Sequence, residues 1–334
     1  MSKPLIELEH LSRRFQVKRN VFITAVSDVS LTIHEGEIVC LVGESGCGKT
    51  TTGKMIAGLL KPSSGRILYN GMDVTSLQGK AWEQYRLGVQ MVHQDPYASL
   101  NPSHTIYDII SAPLRHHRYV ENETAARHRV RQLLEMVDLT PVDDFLDKFP
   151  HQLSGGQRQR VSVARALTVN PSFIVADEAV SMVDVSIRIS LLNTLLKLKE
   201  KMGLAVLFIT HDLALAKYFA WEGRVGVMYL GKLVEVAPAR QLVEAPQHPY
   251  TKVLLSAIPE ADPERTRHKQ RIELRSMDVP SLLRLPTGCA FHPRCPFFEG
   301  EMCEKVIPEL TYFTDGSAVA CHPVQKQRAA ELQA

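Results

Sequence analysis

The chain has 334 residues, 45% of them hydrophobic, with 39 basic and 36 acidic side chains giving a formal net charge of +3. This length is enough for a full α/β core and an appended piece, and the near balance of charge argues against a nucleic-acid binder that works through a basic surface. No apolar stretch approaches the roughly 18 to 20 residues of a spanning helix, and the start Met1-Ser-Lys-Pro-Leu-Ile-Glu7 does not read as a signal peptide, so the chain is not expected to cross a membrane alone.

The N-terminal part reads as strand-rich and carries an aromatic at Phe15, within Leu11-Ser-Arg-Arg-Phe15. It leads to the apolar, β-branched run Glu37-Ile-Val-Cys-Leu-Val42, predicted as a buried parallel strand. Gly43-Glu-Ser-Gly-Cys-Gly-Lys-Thr50 follows, a phosphate cradle of the GxxxxGK[ST] type, and 49–60 is predicted as the helix behind it. Glycines 43, 46 and 48 let the backbone turn so that N–H groups converge on an anion, and the helix dipole adds positive potential. Lys49 suits the β- and γ-phosphates; the Thr50 hydroxyl suits Mg²⁺, a hard ion that takes oxygen ligands. Cys40 reads as a buried strand residue, while Cys47, inside the cradle, is expected to make nucleotide binding sensitive to thiol reagents.

A mostly helical insert is predicted from about Asp95 to Pro150. Its stretch 124–137 places Val130, Leu133, Leu134 and Val137 on one helical stripe, a pattern more often core than docking face. Leu153-Ser-Gly-Gly-Gln-Arg-Gln159 then reads as a glycine-opened helix start able to grip a phosphate on another molecule.

At Phe173-Ile-Val-Ala-Asp-Glu178 a second apolar strand ends in two carboxylates. Neighbours on a strand point to opposite sides, so Asp177 is the candidate for the metal side and Glu178 for the base that polarises an attacking water. Leu204-Ala-Val-Leu-Phe-Ile-Thr-His211 is a third such strand, closed by a histidine able to orient that water.

After Lys232 the chain changes character. His248 to Pro259 suggests a short helix closed by proline, and 261–284 is charged and reads as a linker. Its basic run Arg265-Thr-Arg-His-Lys-Gln-Arg271 reads as solvated rather than as a nucleic-acid contact. Cys289, Cys295, Cys303 and Cys321, four of the six cysteines, crowd beyond it. Such clustering in a reducing compartment points to metal before disulfide, either Zn²⁺ or an iron–sulfur cluster, although no Cys-x-x-Cys knuckle is present. His292 and His322 flank these cysteines.

The ordered set of phosphate loop, Gln94 in Met91-Val-His-Gln-Asp-Pro96, LSGGQ, Asp177-Glu178, Ser181-Met-Val-Asp184 and His211 resembles the nucleotide-binding subunit of an ATP-binding cassette (ABC) transporter. His248-Pro-Tyr-Thr251, Pro286-Thr-Gly-Cys-Ala-Phe-His-Pro-Arg-Cys-Pro296 and Gln94-Asp-Pro-Tyr-Ala-Ser-Leu-Asn-Pro102 narrow this to the oligopeptide and dipeptide importer ATPases. The fold implied is α/β, an ABC-type P-loop NTPase core with an N-terminal antiparallel β subdomain, a helical subdomain and a small cysteine-rich C-terminal extension. The implied boundaries are 1–260 for the nucleotide-binding domain, with its helical part at about 95–160, then 261–285 as linker, 286–326 as extension and 327–334 as tail.

The resemblance further implies ATP and Mg²⁺ as ligands. Nucleotide contacts would come from Gly43, Ser45, Gly46, Gly48, Lys49, Thr50 and Thr51, with Phe15 stacking on adenine. Thr50, Gln94 and Asp177 would serve Mg²⁺; Glu178, His211 and Lys49 would carry the chemistry. Ser154, Gly155, Gly156 and Gln157 would contact the γ-phosphate of ATP held by the opposite subunit, and Asp184 would pass signals across the dimer. It also implies a [4Fe–4S] cluster on Cys289, Cys295, Cys303 and Cys321, with Zn²⁺ as the alternative.

The expected partners are a second ABC ATPase, favoured as a paralogue, two transmembrane permease subunits and, through the complex, an extracytoplasmic substrate-binding protein. The expected location is peripheral, on the cytoplasmic face of the inner membrane. Dipeptides, longer peptides, nickel chelates and oligosaccharides all remain open as solutes. Two other classes compete. A soluble cassette ATPase would usually carry a coiled-coil insert or a tandem cassette, and neither appears. A regulatory module that binds ATP without turnover is encouraged only by Ala179, which stands where the family usually has proline and frees the turn that aims Glu178. Met182-Val183 likewise replace a more common Ala-Leu.

Overall fold

A computed structural model of the protein describes residues 2–181, 183–258 and 270–331. Met182, Pro259, most of the basic run at 265–271 and the last three residues of the expected tail lie outside the described residues.

The strands are β1 (Pro4–Lys18), β2 (Val21–His34), β3 (Ile38–Val42), β4 (Ser64–Tyr69), β5 (Met72–Asp73), β6 (Val89–Val92), β7 (Phe173–Asp177), β8 (Ala205–Ile209), β9 (Arg224–Tyr229), β10 (Lys232–Pro238), β11 (Thr311–Tyr312) and β12 (Ala318–Val319). One antiparallel sheet has the order β2-β1-β4-β5, and a larger sheet runs β11-β12-β10-β9-β3-β8-β7-β6. From β9 to β6 the larger sheet is parallel; β10 and β12 join antiparallel on the far side.

The near-continuous apolar runs predicted for β3, β7 and β8 are buried along their whole length. Alternate residues enter opposite layers, as a strand requires. Ile38, Cys40 and Val42 face the layer that holds Val130, Leu133, Leu134 and Val137, so the helical stripe is core rather than docking face. Val39 and Leu41 face the layer built with the N-terminal sheet, including Ile6, Val26 and Ile67. Each such Val, Leu or Ile contributes about 1.5–3 kcal/mol on burial.

The helix after β3 spans Lys49–Ile56, shorter than predicted. Gly58 turns left-handed at φ 66° and the N–H groups of Leu59 and Leu60 donate back to the Lys54 carbonyl, which closes the helix a turn early. The insert holds helices Pro96–Ser99, Ile106–His116, Glu123–Met136 and Asp143–Leu146, and helix Gly155–Leu167 follows. Asn122 caps the third of these through the Ala125 N–H at 2.9 Å. Further on, helix Pro249–Ala257 is capped by His248, and residues 270–300 carry no regular element before the short helix Glu301–Lys305.

The far end of the chain does not stand apart. β12 pairs with β10 through Glu235↔Val319 and Val236↔Ala318, so residues near the C-terminus extend the same sheet that carries the phosphate loop. Helix His322–Glu331 runs through the boundary expected between extension and tail. Among the described residues, no helix is long and apolar enough to cross a membrane.

Candidate active site

Four neighbouring parallel strands, β3, β8, β7 and β6, deliver their C-terminal ends to one edge of the sheet. Ligands bind at such edges because the loops there are free to converge. Register keeps the ends level: Leu41 and Asp177 both pair with Ile209, and Val92 pairs with Ala176. The loop after β3 is the phosphate cradle, β8 leads into Thr210-His211, β7 ends at Asp177 with Glu178 next, and β6 ends two residues before Gln94.

The cradle needs its glycines at specific points. A Cβ on Gly43 would lie 2.2 Å from the Met228 carbonyl oxygen, and one on Gly48, at φ 105°, would lie 2.3 Å from the Ala25 carbonyl oxygen. Lys49 is buried and folds back, its Nζ donating to the carbonyls of Gly43 at 2.7 Å and Glu44 at 3.0 Å. An anion in the cradle offers this ammonium a charge-assisted bond in place of two neutral ones. Ser45 and Gly46 are exposed, and Thr50 and Thr51 are half-buried at the helix start.

Thr50 Oγ1 donates to Asp177 Oδ1 at 2.9 Å. Burial raises the Asp177 carboxyl above its ordinary range; the Thr50 hydroxyl opposes this and the Glu178 charge adds to it. A hydroxyl and a largely buried carboxylate that share one contact fit a hard divalent cation.

Glu178 stands at φ 45°, a left-handed conformation that costs a non-glycine residue about 1–2 kcal/mol. The turn is nonetheless held. Glu178 N–H donates to the Ile209 carbonyl at 2.9 Å, and its own carbonyl accepts from the Ser181 N–H at 3.0 Å and hydroxyl at 2.9 Å. Ala179 and Val180 sit buried beneath it, so packing restrains the turn where a proline ring does not. The Glu178 carboxylate accepts from Gln94 Nε2 at 2.9 Å on one oxygen and meets His211 Nδ1 at 3.1 Å on the other.

Phe15 lies half-buried on β1 with the Arg13 guanidinium 4.7 Å from its ring centre. Ser154 caps helix Gly155–Leu167: its hydroxyl accepts from the Gln157 N–H at 3.2 Å, and Gln157 Oε1 accepts from the Ser154 N–H at 2.9 Å. Ser154, Gly156 and Gln157 line a hollow of about 240 Å³ with Arg160, Ser186, Ile187 and Ser190, and no residue of the phosphate loop is on its wall. Asp184 is exposed at the start of helix Val185–Met202. The chain thus gathers Lys49, Thr50, Gln94, Asp177, Glu178 and His211 in one place and leaves the LSGGQ element in another.

Two expectations are corrected. Cys47 is buried under the loop and its thiol is pushed up, burial outweighing the Lys49 charge, so it is not the reactive thiol expected from its position. Cys289, Cys295, Cys303 and Cys321 do line one cavity, but among the described residues no group of three or more His, Cys, Asp or Glu is disposed to hold a metal ion. The cavity holds about 20 Å³, on the order of one water and far less than a [4Fe–4S] cube. Burial pushes the Cys295 thiol up to about 11 and the Cys321 thiol to about 12, away from the thiolate that binds metal. His292 Nδ1 lies 2.9 Å from the Cys289 carbonyl and His322 Nε2 2.9 Å from that of Val306. The described residues thus offer no metal-binding group for the iron–sulfur cluster or for the zinc alternative.

Sequence reasoning left one part of the site out. Tyr250 and Arg294 both reach Glu44 in the phosphate loop from more than 200 positions away in the chain. Arg294 stands inside Phe291-His-Pro-Arg-Cys295, and nothing local in that segment marks the arginine apart from its neighbouring cysteines.

Comparison with known proteins agrees with this geometry. Residues 26–181 match the ABC transporter family and 234–303 the oligopeptide/dipeptide transporter C-terminal region. The chain is 42% identical to a probable peptide ABC transporter ATP-binding protein, y4tS, of Sinorhizobium fredii, over 99% of this chain and 93% of that one. It is 43% identical to a putative oligopeptide transport ATP-binding protein of Bacillus subtilis, YkfD, over 96% and 95%. Among solved structures, the ATP-binding cassette MJ0796, a dimer in a post-hydrolysis state with ADP and Pi, aligns at a TM-score of 0.64 and 29% identity, over 71% of this chain and 99% of that one.

Proposed function

This chain belongs to the ABC transporter family of ATP-binding proteins, and from that premise we propose that it energises an importer of peptides or similar small solutes. It is an ATPase. The observation that carries its chemistry is Glu178, fixed between Gln94 and His211 just past β7, which is separated from the strand that feeds the phosphate loop by β8 alone.

ATP enters the cradle with its phosphates on the loop N–H groups, and Lys49 leaves the Gly43 and Glu44 carbonyls for the β- and γ-phosphates. Phe15 stacks on the adenine. Thr50, Asp177 and Gln94 would hold Mg²⁺, which would supply neutralising positive charge when bound. Glu178 takes a proton from a water that attacks the γ-phosphorus in line. The new P–O bond forms as the bond to the β-phosphate oxygen breaks, and ADP carries off that electron pair. His211 and Gln94 hold the Glu178 carboxylate in place for this step.

The LSGGQ element, distant from the chain's own cradle, completes the site of a second cassette, a paralogue, and receives that cassette's loop in return. Asp184 carries the signal between the two. Closure of this pair moves two transmembrane permease subunits, and hydrolysis resets them. A groove of about 550 Å³ lined by Trp82, Arg86, Met91, His117 and Arg165 runs beside the helical insert and supports docking there. The chain then sits peripherally on the cytoplasmic face of the inner membrane, and a substrate-binding protein supplies solute from the other side. Residues 1–260 form the motor in this reading and 286–326 an appended piece.

The test is reconstitution with the partner subunits in vesicles. Peptide uptake that requires ATP supports the reading; ATP turnover indifferent to peptide and to the membrane subunits would make this a soluble cassette ATPase instead.

A further inference from the structure

Glu44 is the second residue of the phosphate loop, and each of its polar groups is taken. Its N–H donates to the Tyr250 hydroxyl at 2.9 Å, its carbonyl accepts from Lys49 Nζ at 3.0 Å, and its carboxylate meets Arg294. The last contact is a fork: Nη1 lies 3.1 and 2.9 Å from the two carboxylate oxygens, and Nη2 lies 3.1 Å from the first. Arg294 is 4% exposed, and Nη1 also lies 3.4 Å from the Tyr229 hydroxyl. Behind it Tyr229, Tyr250 and Phe291 pack ring to ring at centre distances of 4.7, 5.2 and 5.3 Å. The guanidinium is therefore buried against rings from β9 and the C-terminal part of the chain while its fork grips the loop.

A carboxylate beside a triphosphate site is unfavourable unless neutralised, and a loop that must aim several N–H groups loses affinity if it wanders. Arg294 answers both requirements at once. We propose that Arg294 is a positioning residue for nucleotide binding, through which the C-terminal region sets the affinity of the phosphate loop for ATP. The proposal rests on the reading of that loop as the ATP site.

Full-length Arg294→Ala should bind ATP about tenfold more weakly, within the range usual for coupled sites. Its KM should rise in step while kcat falls less than twofold. Arg294→Lys, which keeps the charge but not the fork, should lie between it and the parent. The double variant Glu44→Ala/Arg294→Ala should bind more tightly than Arg294→Ala alone, because no unpaired carboxylate is left at the loop. A general loss of packing would move thermal stability and kcat instead, and would not be relieved by the second substitution. Parental ATP affinity in Arg294→Ala, or a double variant no tighter than the single, would overturn the proposal. Should Arg294→Ala fail to fold, Arg294→Lys carries the test: threefold weaker binding or more is expected, and unchanged binding overturns it. Lys49→Ala serves as the reference. If it binds ATP normally, the ATP-site reading itself fails; if it loses ATP while Arg294→Ala does not, only the positioning role falls.

Discussion

His211 Nδ1 lies 3.1 Å from Glu178 Oε1, and the two residues close adjacent parallel strands whose register puts Asp177 level with Ile209. The sheet therefore brings the two strand ends side by side, and the pair forms in the residues just past them. Gln94 holds the other Glu178 oxygen at 2.9 Å, so a left-handed turn that would otherwise wander is fixed from two sides.

Glu178→Gln keeps the shape and the Gln94 and His211 neighbours but removes the base. ATP turnover should fall by about 100-fold or more, while ATP binding persists and the closed pair of cassettes accumulates. Steady-state phosphate release and analytical ultracentrifugation with ATP check this; retained hydrolysis would remove Glu178 from its role.

Lys49→Ala removes the only ammonium folded into the cradle in the described residues. A charge-assisted hydrogen bond contributes about 1.5–3 kcal/mol, so ATP affinity should drop roughly tenfold to a hundredfold. Equilibrium binding of a fluorescent ATP analogue reads this directly, and unchanged affinity would count against the cradle.

His248 connects stability to pH. It is fully buried, accepts the Tyr250 N–H at 3.0 Å, and burial pushes its imidazole down to about 3. The unfolded chain therefore binds the proton more readily than the folded one. The neutral ring's contribution is complete above about 6.5, the ordinary histidine value, and is lost as pH falls from there towards 3, by up to about 1.4 kcal/mol per pH unit. Denaturant melts between pH 7 and pH 4.5 should show this slope, and His248→Gln should flatten it by one proton. An equal slope in both proteins would remove His248 as its source.

The strands that matter were legible because a buried parallel strand writes itself as an unbroken apolar run: β3, β7 and β8 are each apolar through to the residues that close them. The cradle and the carboxylate pair were legible for a related reason, since their chemistry demands fixed residue types at fixed spacing. What could not be read was contact across long separations. Nothing local marks Val319 as a partner of Glu235, or Arg294 as a partner of Glu44, because β12 has only two residues and the arginine's role exists only once the chain is folded. The cysteines misled for the opposite reason. Their crowding in sequence is real, but the folded pocket is lined as well by Phe291, Phe297 and Pro323, and burial pushes the Cys295 and Cys321 thiols up, away from the thiolate that binds metal.

The central claim is that one chain's cradle works only against another chain's LSGGQ element. The most direct measurement is ATP turnover of the cassette pair when Ser154→Ala and Gly156→Asp are placed in one subunit and Glu178→Gln in the same or the opposite one. If each site draws its cradle from one chain and its LSGGQ from the other, two lesions on the same chain should damage both sites, whereas lesions on opposite chains should fall on one site and spare the second. Full turnover by an isolated single chain, unaffected by loss of Ser154 and Gly156, would contradict the account.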